Sequence, residues 1–438
     1  MLGYYLDLAL RSLKRNKVLT ALMVIAIAVG IGASMTTLTV MHLLSGDPLP
    51  GKSGTLFYPQ VDPDPGPKQK HPYDVMDYRS AFDLWSAHRA DRQTMIASSQ
   101  LRLTSPQVNL PPLMAKALST TSDFFPMFDV PFRYGNGWTA QDDVSRARVA
   151  VISSDLNDKL FNGANSVGRT LRLRDTDMRI IGVLAPWRPS PQFYEVAGGR
   201  YSNGDTASFY GRPEDVFMPF ESSLEVNSGG MNVFTCWSLP DPAHLKTAPC
   251  VWVAVWVQLN DAAGVVRYRH FVADYAAQQK AMGRFAHADD TRMPSLMEWL
   301  DYNQVVPSDV RLQTWLAFAF LLICLFNTVG LLLAKFLRRA GEIGVRRALG
   351  ASRTAVFAQC LVEAGLIGLL GGAGGLLLTL FGLWLVRRQP VEYADLVHLD
   401  TAMFLVTFAL AIAASLLAGV LPALRASRMP PGLQLKTL

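Results

Sequence analysis

KFLRRAGEIGVRRALGASR, residues 335–353, is the stretch whose reading decides the fold. It lies between two long segments without charge, Leu312–Ala334 and Ala364–Val386. Two more such segments, Val18–Met41 and Thr401–Leu424, complete a set of four. Each runs for about 23 residues, and at about 1.5 Å per helical residue each can cross a hydrocarbon core of about 30 Å. A short basic helix between two such spans lies at a membrane surface, where a partner can grip it.

Outward from that stretch, charge sets the orientation. The chain of 438 residues carries a formal net charge of +6. Arg11, Lys14, Arg15 and Lys17 precede the first span. Lys335, Arg338, Arg339, Arg346, Arg347 and Arg353 separate the second from the third, and Arg425, Arg428 and Lys436 follow the fourth. Only Asp7 and Glu342 oppose them there. The positive-inside rule then predicts cytoplasmic termini, a cytoplasmic 335–353 segment and an outer domain between spans one and two. Arg387 and Arg388 fall on the outer side against the rule, with Glu392, Asp395 and Asp400 close by.

The resulting expectation is an α-helical integral membrane protein with four transmembrane helices and a large α+β extracytoplasmic domain. Its parts are an amphipathic helix (1–17), a first transmembrane helix (18–43), the outer domain (44–311), a second transmembrane helix (312–334) and the cytoplasmic segment (335–353). A third transmembrane helix (354–388), a short outer loop (389–400), a fourth transmembrane helix (401–424) and a cytoplasmic tail (425–438) follow. Leu2, Leu6, Leu10 and Leu13 share one stripe of the first helix, whose cations can reach lipid phosphates. The first span is too long for a signal peptide and no small-residue cleavage site follows it, so it reads as an uncleaved anchor.

Within the spans, small residues recur four apart: Ala26, Gly30 and Ser34 in the first, Gly368 with Gly372 and Gly371 with Gly375 in the third. That spacing permits close helix packing, within one subunit or across a dimer. Glu363, inside the start of the third span, can pair with an Arg, sit at the interface or face another helix. In the basic segment Leu337, Gly341, Val345, Ala348 and Leu349 share a face, Glu342 and Arg346 have the favourable i,i+4 order, Gly350 suits a helix end and Ser352 can cap the next helix. A helix starting at Ser308 and running to Ala340 would exceed the membrane's thickness and project as a stalk.

The outer domain reads as mixed. Strands are predicted at 55–58, 94–103, 113–119, 147–153, 171–174, 178–184 and 251–259, and helices at 73–88, 155–161 and 262–282, the last capped by Asp261. Residues 186–248 are Gly-, Pro- and Ser-rich and read as loop-dominated, with roughly 120–248 as a second lobe. Cys236 and Cys250 lie outside, where a disulfide between them can form; Cys324 and Cys360 belong to membrane helices.

Gly46–Ser53 (GDPLPGKS) matches the phosphate-loop pattern literally, but a membrane helix precedes it, Pro48 and Pro50 remove N–H donors, and no helix can follow. His287 with Asp289 and Asp290 reads as a solvated loop rather than a metal site. No catalytic nucleophile–base pattern, cofactor motif or nucleic-acid patch can be read.

GEIGVRRALGASR (Gly341 to Arg353), with RSLKRNKVLTAL near the start and GVLPALRASRMPPG at the end, resembles the MacB/FtsX-type permeases of ABC transporters. SDFFPMFDVPFRYGNGW, VAVISSDLNDKLF and VGRTLRLRDTDMRIIGVL resemble the MacB-type outer domain. The resemblance implies a porter-like lobe with an inserted sabre-like lobe. It also implies an ATPase-coupling role for Gly341, Glu342, Ile343, Arg346, Arg347, Leu349, Gly350 and Arg353. MacB carries an ATPase domain on the same chain; with so little sequence outside the spans, the expectation here is a separate ABC ATPase subunit and no enzyme activity of the chain itself. A second permease subunit and a periplasmic adaptor are further implied partners. The implied role is mechanotransmission for efflux of a drug, peptide or similar substrate from the bacterial inner membrane. The alternatives are a non-exporting regulator that switches a periplasmic partner such as a cell-wall hydrolase, or a lipoprotein-release permease.

Overall fold

The computed structural model describes residues 2–67, 70–104, 111–227, 229–241, 244–399 and 401–428. Asp400, the Pro430–Pro431 pair and Lys436 lie outside the described residues. The chain forms two compact units, Met1–Ser45 with Val306–Leu438, and Gly46–Val305.

The first unit opens with helices α1 (Leu2–Arg15) and α2 (Lys17–Leu44). The buried side of α1 is Ala9, Ser12 and Leu13, while Leu10 is exposed. Of the predicted leucine stripe, Leu13 thus packs inward and Leu10 does not.

The second unit is built on strands β1 (Leu56–Phe57), β2 (Gln60–Val61), β3 (Arg92–Thr104), β4 (Leu113–Thr120), β5 (Phe132–Gly135), β6 (Val149–Ile152), β7 (Thr170–Leu173), β8 (Thr176–Leu184), β9 (Val216–Pro219), β10 (Thr235–Cys236), β11 (Cys250–Val251), β12 (Ala254–Gln258) and β13 (Thr291–Arg292). Its helices are α3 (Tyr78–Ser86), α4 (Phe124–Met127), α5 (Ala140–Val144), α6 (Ser154–Phe161), α7 (Phe220–Val226), α8 (Ala262–Ala281) and α9 (Leu296–Tyr302). Nine strands form one sheet in the order β1-β12-β3-β4-β9-β6-β8-β5, and β7 pairs with both β3 and β8. The strands β3, β4, β9, β6, β8 and β7 therefore close on one another.

Two hydrophobic clusters share strand β3. Its first half (Met95, Ala97) packs with β12 and with Ala81, Leu84, Tyr268 and Val272 from α3 and α8. Its second half (Leu101, Leu103) packs inside the closed strand set with Leu156 and Leu160 of α6. All four named residues of β3 are odd-numbered and so project to one face, as a strand requires. Strand β12 is buried throughout, as the nearly continuous apolar run around it predicts. Asp261 caps α8 by accepting from the Gly264 N–H at 2.5 Å.

Two expectations need correction here. The 73–88 helix starts only at Tyr78, because the Met76 N–H donates to the Val253 carbonyl in an isolated β-bridge. The loop-dominated 186–248 stretch holds a strand and a helix that the sequence reading did not include: β9 enters the sheet between β4 and β6, and α7 follows it. The rejected phosphate-loop match stays rejected: its Lys52 donates to Asp129 and to the Pro126 carbonyl, and a 3-10 turn followed by β1 comes next.

The first unit resumes with α10 (Ser308–Arg338), α11 (Ala340–Ala348), α12 (Arg353–Val386) and α13 (Thr401–Arg428). Helices α2, α10, α12 and α13 hold 28, 31, 34 and 28 residues and are apolar enough to cross a membrane. Helix α10 stops short of the predicted Ala340, because the backbone leaves helical geometry at Arg339, whose side chain is held by two carboxylates.

Glycines decide how these helices approach. A Cβ at Gly371 or Gly375 would meet Ile27 or Ile31 of α2 at 2.6 and 2.9 Å. One at Gly368 or Gly372 would meet Ser415 or Ala411 of α13 at 2.3 and 2.8 Å. The two small-residue pairs of α12 thus serve two neighbours within one subunit. On α2, Gly30 faces Leu321 and Cys324 of α10, and the Ser34 hydroxyl donates to the Ala317 carbonyl at 3.0 Å.

Candidate functional site

The basic segment folds as a helix with an inner and an outer side. Its start is the break at Arg339 and its end is the turn at Gly350, whose φ of +101° favours glycine. Ser352 caps α12 by accepting from the Ala355 N–H at 3.1 Å. The turn joining the two helices is therefore set by two residues, Gly350 and Ser352.

The inner side is held by two carboxylates. Glu363 of α12 and Lys335 of α10 pair at 2.6 Å, with side chains 1% and 0% exposed. Arg339 reaches the other oxygen of Glu363 at 3.2 Å. Ser12 of α1 donates to Glu363 and accepts from Arg339. Lys335 also approaches the Thr20 hydroxyl of α2 at 3.4 Å. A buried charge needs such company: an unpaired one costs several kcal/mol, about 3–5 when a partner is removed.

Glu342 is the second anchor. Arg339 donates to both of its oxygens, at 3.2 and 3.0 Å. Arg346 pairs with it at 3.0 Å and Arg15 lies at 3.7 Å. The hydrogen bonds from Arg339, with Arg339, Arg346 and Arg15 as nearby cations, hold its carboxyl below the usual range. Arg346 donates on to the Gln359 side chain of α12 at 3.1 Å. The two carboxylates thereby tie α11 to α1, α10 and α12.

The outer side is apolar and open. Leu337, Val345 and Leu349 are exposed, Leu349 at 84%. Gly341 and Ala348 are exposed between them, as are the flanking Arg338 and Arg353. Ile343 turns the other way and packs on the bundle core. Arg347 is half-buried and its carbonyl accepts from the Gly350 N–H at 3.2 Å.

The structure thus brings Glu342, Ile343 and Arg346 to the inner side and Gly341, Leu349, Gly350 and Arg353 to the surface. Lys335 and Arg339, counted with the surface cations from the sequence, are instead engaged inside. The signal that could have exposed this was Glu363: a carboxylate buried in an apolar helix must find a cation, and Lys335 and Arg339 end the preceding span.

In the other unit, Cys236 and Cys250 are disulfide-bonded and pair β10 with β11. His287 contacts the Gly66 carbonyl at 3.1 Å. Among the described residues no cluster of His, Cys, Asp and Glu could hold a metal ion.

Two family models match the chain. The MacB-like periplasmic core domain covers residues 20–266, and the FtsX-like permease C-terminal region covers 315–431. The macrolide export ATP-binding/permease protein MacB of Salmonella typhi is 24% identical over 441 residues, covering 97% of this chain and 59% of that protein. The MacB of Syntrophobacter fumaroxidans is 23% identical, covering 71% of this chain and 46% of its own length. The chain spans about half the length of the curated relatives it matches. Among solved structures, the periplasmic region of MacB from Actinobacillus actinomycetemcomitans aligns with a TM-score of 0.36 at 13% identity, over 56% of this chain and 91% of that one. The extracellular domain of the ABC-type transporter YknZ from Gram-positive bacteria aligns at 0.34 and 12%, over 55% and 100%. Because the first family model takes in most of the sheet-rich unit and the second takes in helices α10 to α13, this multi-pass membrane protein belongs to the MacB/FtsX-type family of ABC transporter permeases.

Proposed function

We propose that this permease receives force from a separate ATP-hydrolysing subunit seated on the outer side of α11. The observation that carries the reading is the two-sidedness of α11 together with the residues at its two ends. Leu337, Val345 and Leu349 present apolar surface between Arg338 and Arg353, while Glu342 and Arg346 fasten the opposite side to the bundle. A push on the outer side is then delivered to α10 and α12. Helix α10 is continuous in sequence with the sheet-rich domain and carries the displacement outward.

On this reading both termini and α11 are cytoplasmic and the sheet-rich domain is periplasmic, in keeping with the positive-inside distribution of Arg and Lys. The permease works in pairs, with itself or a second permease, and α1 rests on anionic lipid through Arg11 and Lys14. The two hydrophobic clusters sharing β3 support a porter-like lobe with a sabre-like insertion. The work done is efflux of a drug, peptide or similar substrate, with a periplasmic adaptor as a further partner.

The test is reconstitution with the cognate ATPase. Leu349→Asp and Arg346→Glu should each leave the bundle assembled but remove at least tenfold of permease-stimulated ATP hydrolysis. Gly350→Pro should do the same by altering the turn. Undiminished stimulation in Leu349→Asp overturns the docking surface. A cysteine at position 349 that labels only from outside the cell overturns the orientation.

A further inference from the structure

The end of α12 farthest from α11 carries two arginines that the coupling reading does not use. Between Glu363 and Arg387 the helix holds no charge. That stretch rises about 36 Å at about 1.5 Å per residue, against a hydrocarbon core of about 30 Å. With Glu363 held near one surface of the bilayer, Arg387 and Arg388 reach the headgroups of the other. Both are exposed.

Neither guanidinium is balanced. Among the described residues no carboxylate pairs with Arg387 or Arg388. Glu392 and Asp395, which the sequence places nearby, are exposed in the loop that follows and engage neither. The Arg388 guanidinium instead lies over the Trp384 ring, 4.3 Å from its centroid. That ring is stacked with Phe381 at 5.7 Å. A cation held over an indole keeps its full charge while giving up some of its freedom, so less is lost when it meets an anion.

An apolar track leads up to the pair. Leu377, Phe381, Trp384 and Arg388 recur at spacings of four, three and four, and so share one helix face. Leu377, Phe381 and Trp384 are exposed on it, with Leu385 beside them. The opposite face, Gly375, Thr379 and Leu383, is buried in the bundle. From Leu377 to Arg388 the track rises about 16 Å, half the core and so the depth of one leaflet.

Charge selects the occupant. A zwitterionic headgroup brings its own cation beside the two guanidiniums. An anionic phosphodiester brings none, and its oxygens accept charge-assisted hydrogen bonds from both. We infer that this end of α12 binds an anionic phospholipid, its phosphate between Arg387 and Arg388 and one acyl chain along Leu377, Phe381 and Trp384. The inference needs α12 to span the bilayer; it stands apart from the ATPase reading and holds whichever end of the helix is inside.

The test uses the full-length chain in phosphatidylcholine bilayers. Its native cysteines are bonded to each other or buried, so Leu385→Cys takes a bimane label alone, three positions before Arg388. Leu316→Cys, exposed on α10, is the control. Quenching is measured against rising fractions of phosphatidylglycerol with a nitroxide on its acyl chain, or of phosphatidylcholine with the same nitroxide. Bimane at 385 should be half-quenched at a fraction of the glycerol lipid about tenfold or more below that of the choline lipid, since an arginine near an anionic lipid contributes about fivefold. Bimane at 316 should respond to the two alike. Arg388→Gln should cut the preference at 385 about fivefold. Arg387→Gln/Arg388→Gln should abolish it, with quenching by the choline lipid unchanged as the sign of an inserted bundle. The inference is overturned if the two lipids quench alike at 385, if 316 shows the same preference, or if the double variant keeps it. It is overturned too if free glycerol phosphate in millimolar excess removes the preference, which would make the site one for a soluble phosphate.

Discussion

Removing Glu363 should cost the bundle more than removing Lys335, although the two are partners in one ion pair. Lys335 has two polar neighbours, Glu363 at 2.6 Å and the Thr20 hydroxyl at 3.4 Å. Glu363 has three, because Arg339 and Ser12 also bind it. In Glu363→Leu the Lys335 ammonium stays buried with only a distant hydroxyl, which places the loss at about 3–5 kcal/mol. In Lys335→Met the carboxylate keeps a guanidinium and a hydroxyl, and the loss should be about 1–3 kcal/mol. The double variant removes both buried charges, while Arg339 keeps its two bonds to Glu342. It should recover to within about 1 kcal/mol of the starting protein, a strongly non-additive cycle. Reversible unfolding of the full chain in mixed micelles, followed by tryptophan fluorescence, measures all four corners. Equal losses for the two single variants, or losses that simply add in the double, would refute the network as drawn.

The glycine contacts make a second test: Gly368→Val, whose first added carbon would lie 2.3 Å from Ser415 Cβ, should lose about 1–3 kcal/mol. Gly330→Ala, with nothing within 4 Å, should be neutral or gain up to about 1 kcal/mol in the same assay. Reducing the Cys236–Cys250 bond, whose ends are 14 apart in sequence, should lower stability by about 3 kcal/mol for a loop of that size; unfolding midpoints with and without reductant report it, and Cys236→Ser/Cys250→Ser should reproduce the reduced value. Burial outweighs the hydrogen bonds from Ser122 and Trp138 and raises Asp143 from 3.8 to about 6, so the native state holds a proton that the unfolded state releases, and this contribution is whole below about pH 4 and lost as pH climbs past 6, by about 3 kcal/mol in all. Asp143→Asn should flatten that decline, read from the emission of Trp138.

The parts legible in the sequence are those written in local pattern. Charge-free runs announce the four long helices, a nearly continuous apolar run announces β12, and Asp261 before Ala262 announces α8. What escaped depends on distant partners. Strand β9 is four residues long and ends at Pro219, so nothing local separates it from a loop; its identity comes from sitting between β4 and β6. Small-residue spacing shows that Gly368 and Gly371 lie on different faces of one helix, yet not that one meets α13 and the other α2. Lys335 at the end of a span reads as a cation reaching for water. Its burial follows only when Glu363, 28 positions later, is placed beside it.

The two carboxylates differ in what they hold, and that difference bears on how α11 could move. Glu342 is half-exposed and its partners Arg15 and Arg346 are long, flexible side chains. Such contacts can lengthen or exchange at small cost, since exposed pairs contribute about 1 kcal/mol or less. Glu363 is fully buried, and separating it from Lys335 and Arg339 would strand charges in an apolar interior. Under the proposed coupling, the surface end of the segment can therefore shift while its root cannot. Arg339 belongs to both networks and sits where the backbone breaks between α10 and α11. It is the natural pivot: a displacement at Leu349 turns α11 about Arg339, and the fixed Glu363 passes the reaction to α12, which its glycines pack closely against α2 and α13.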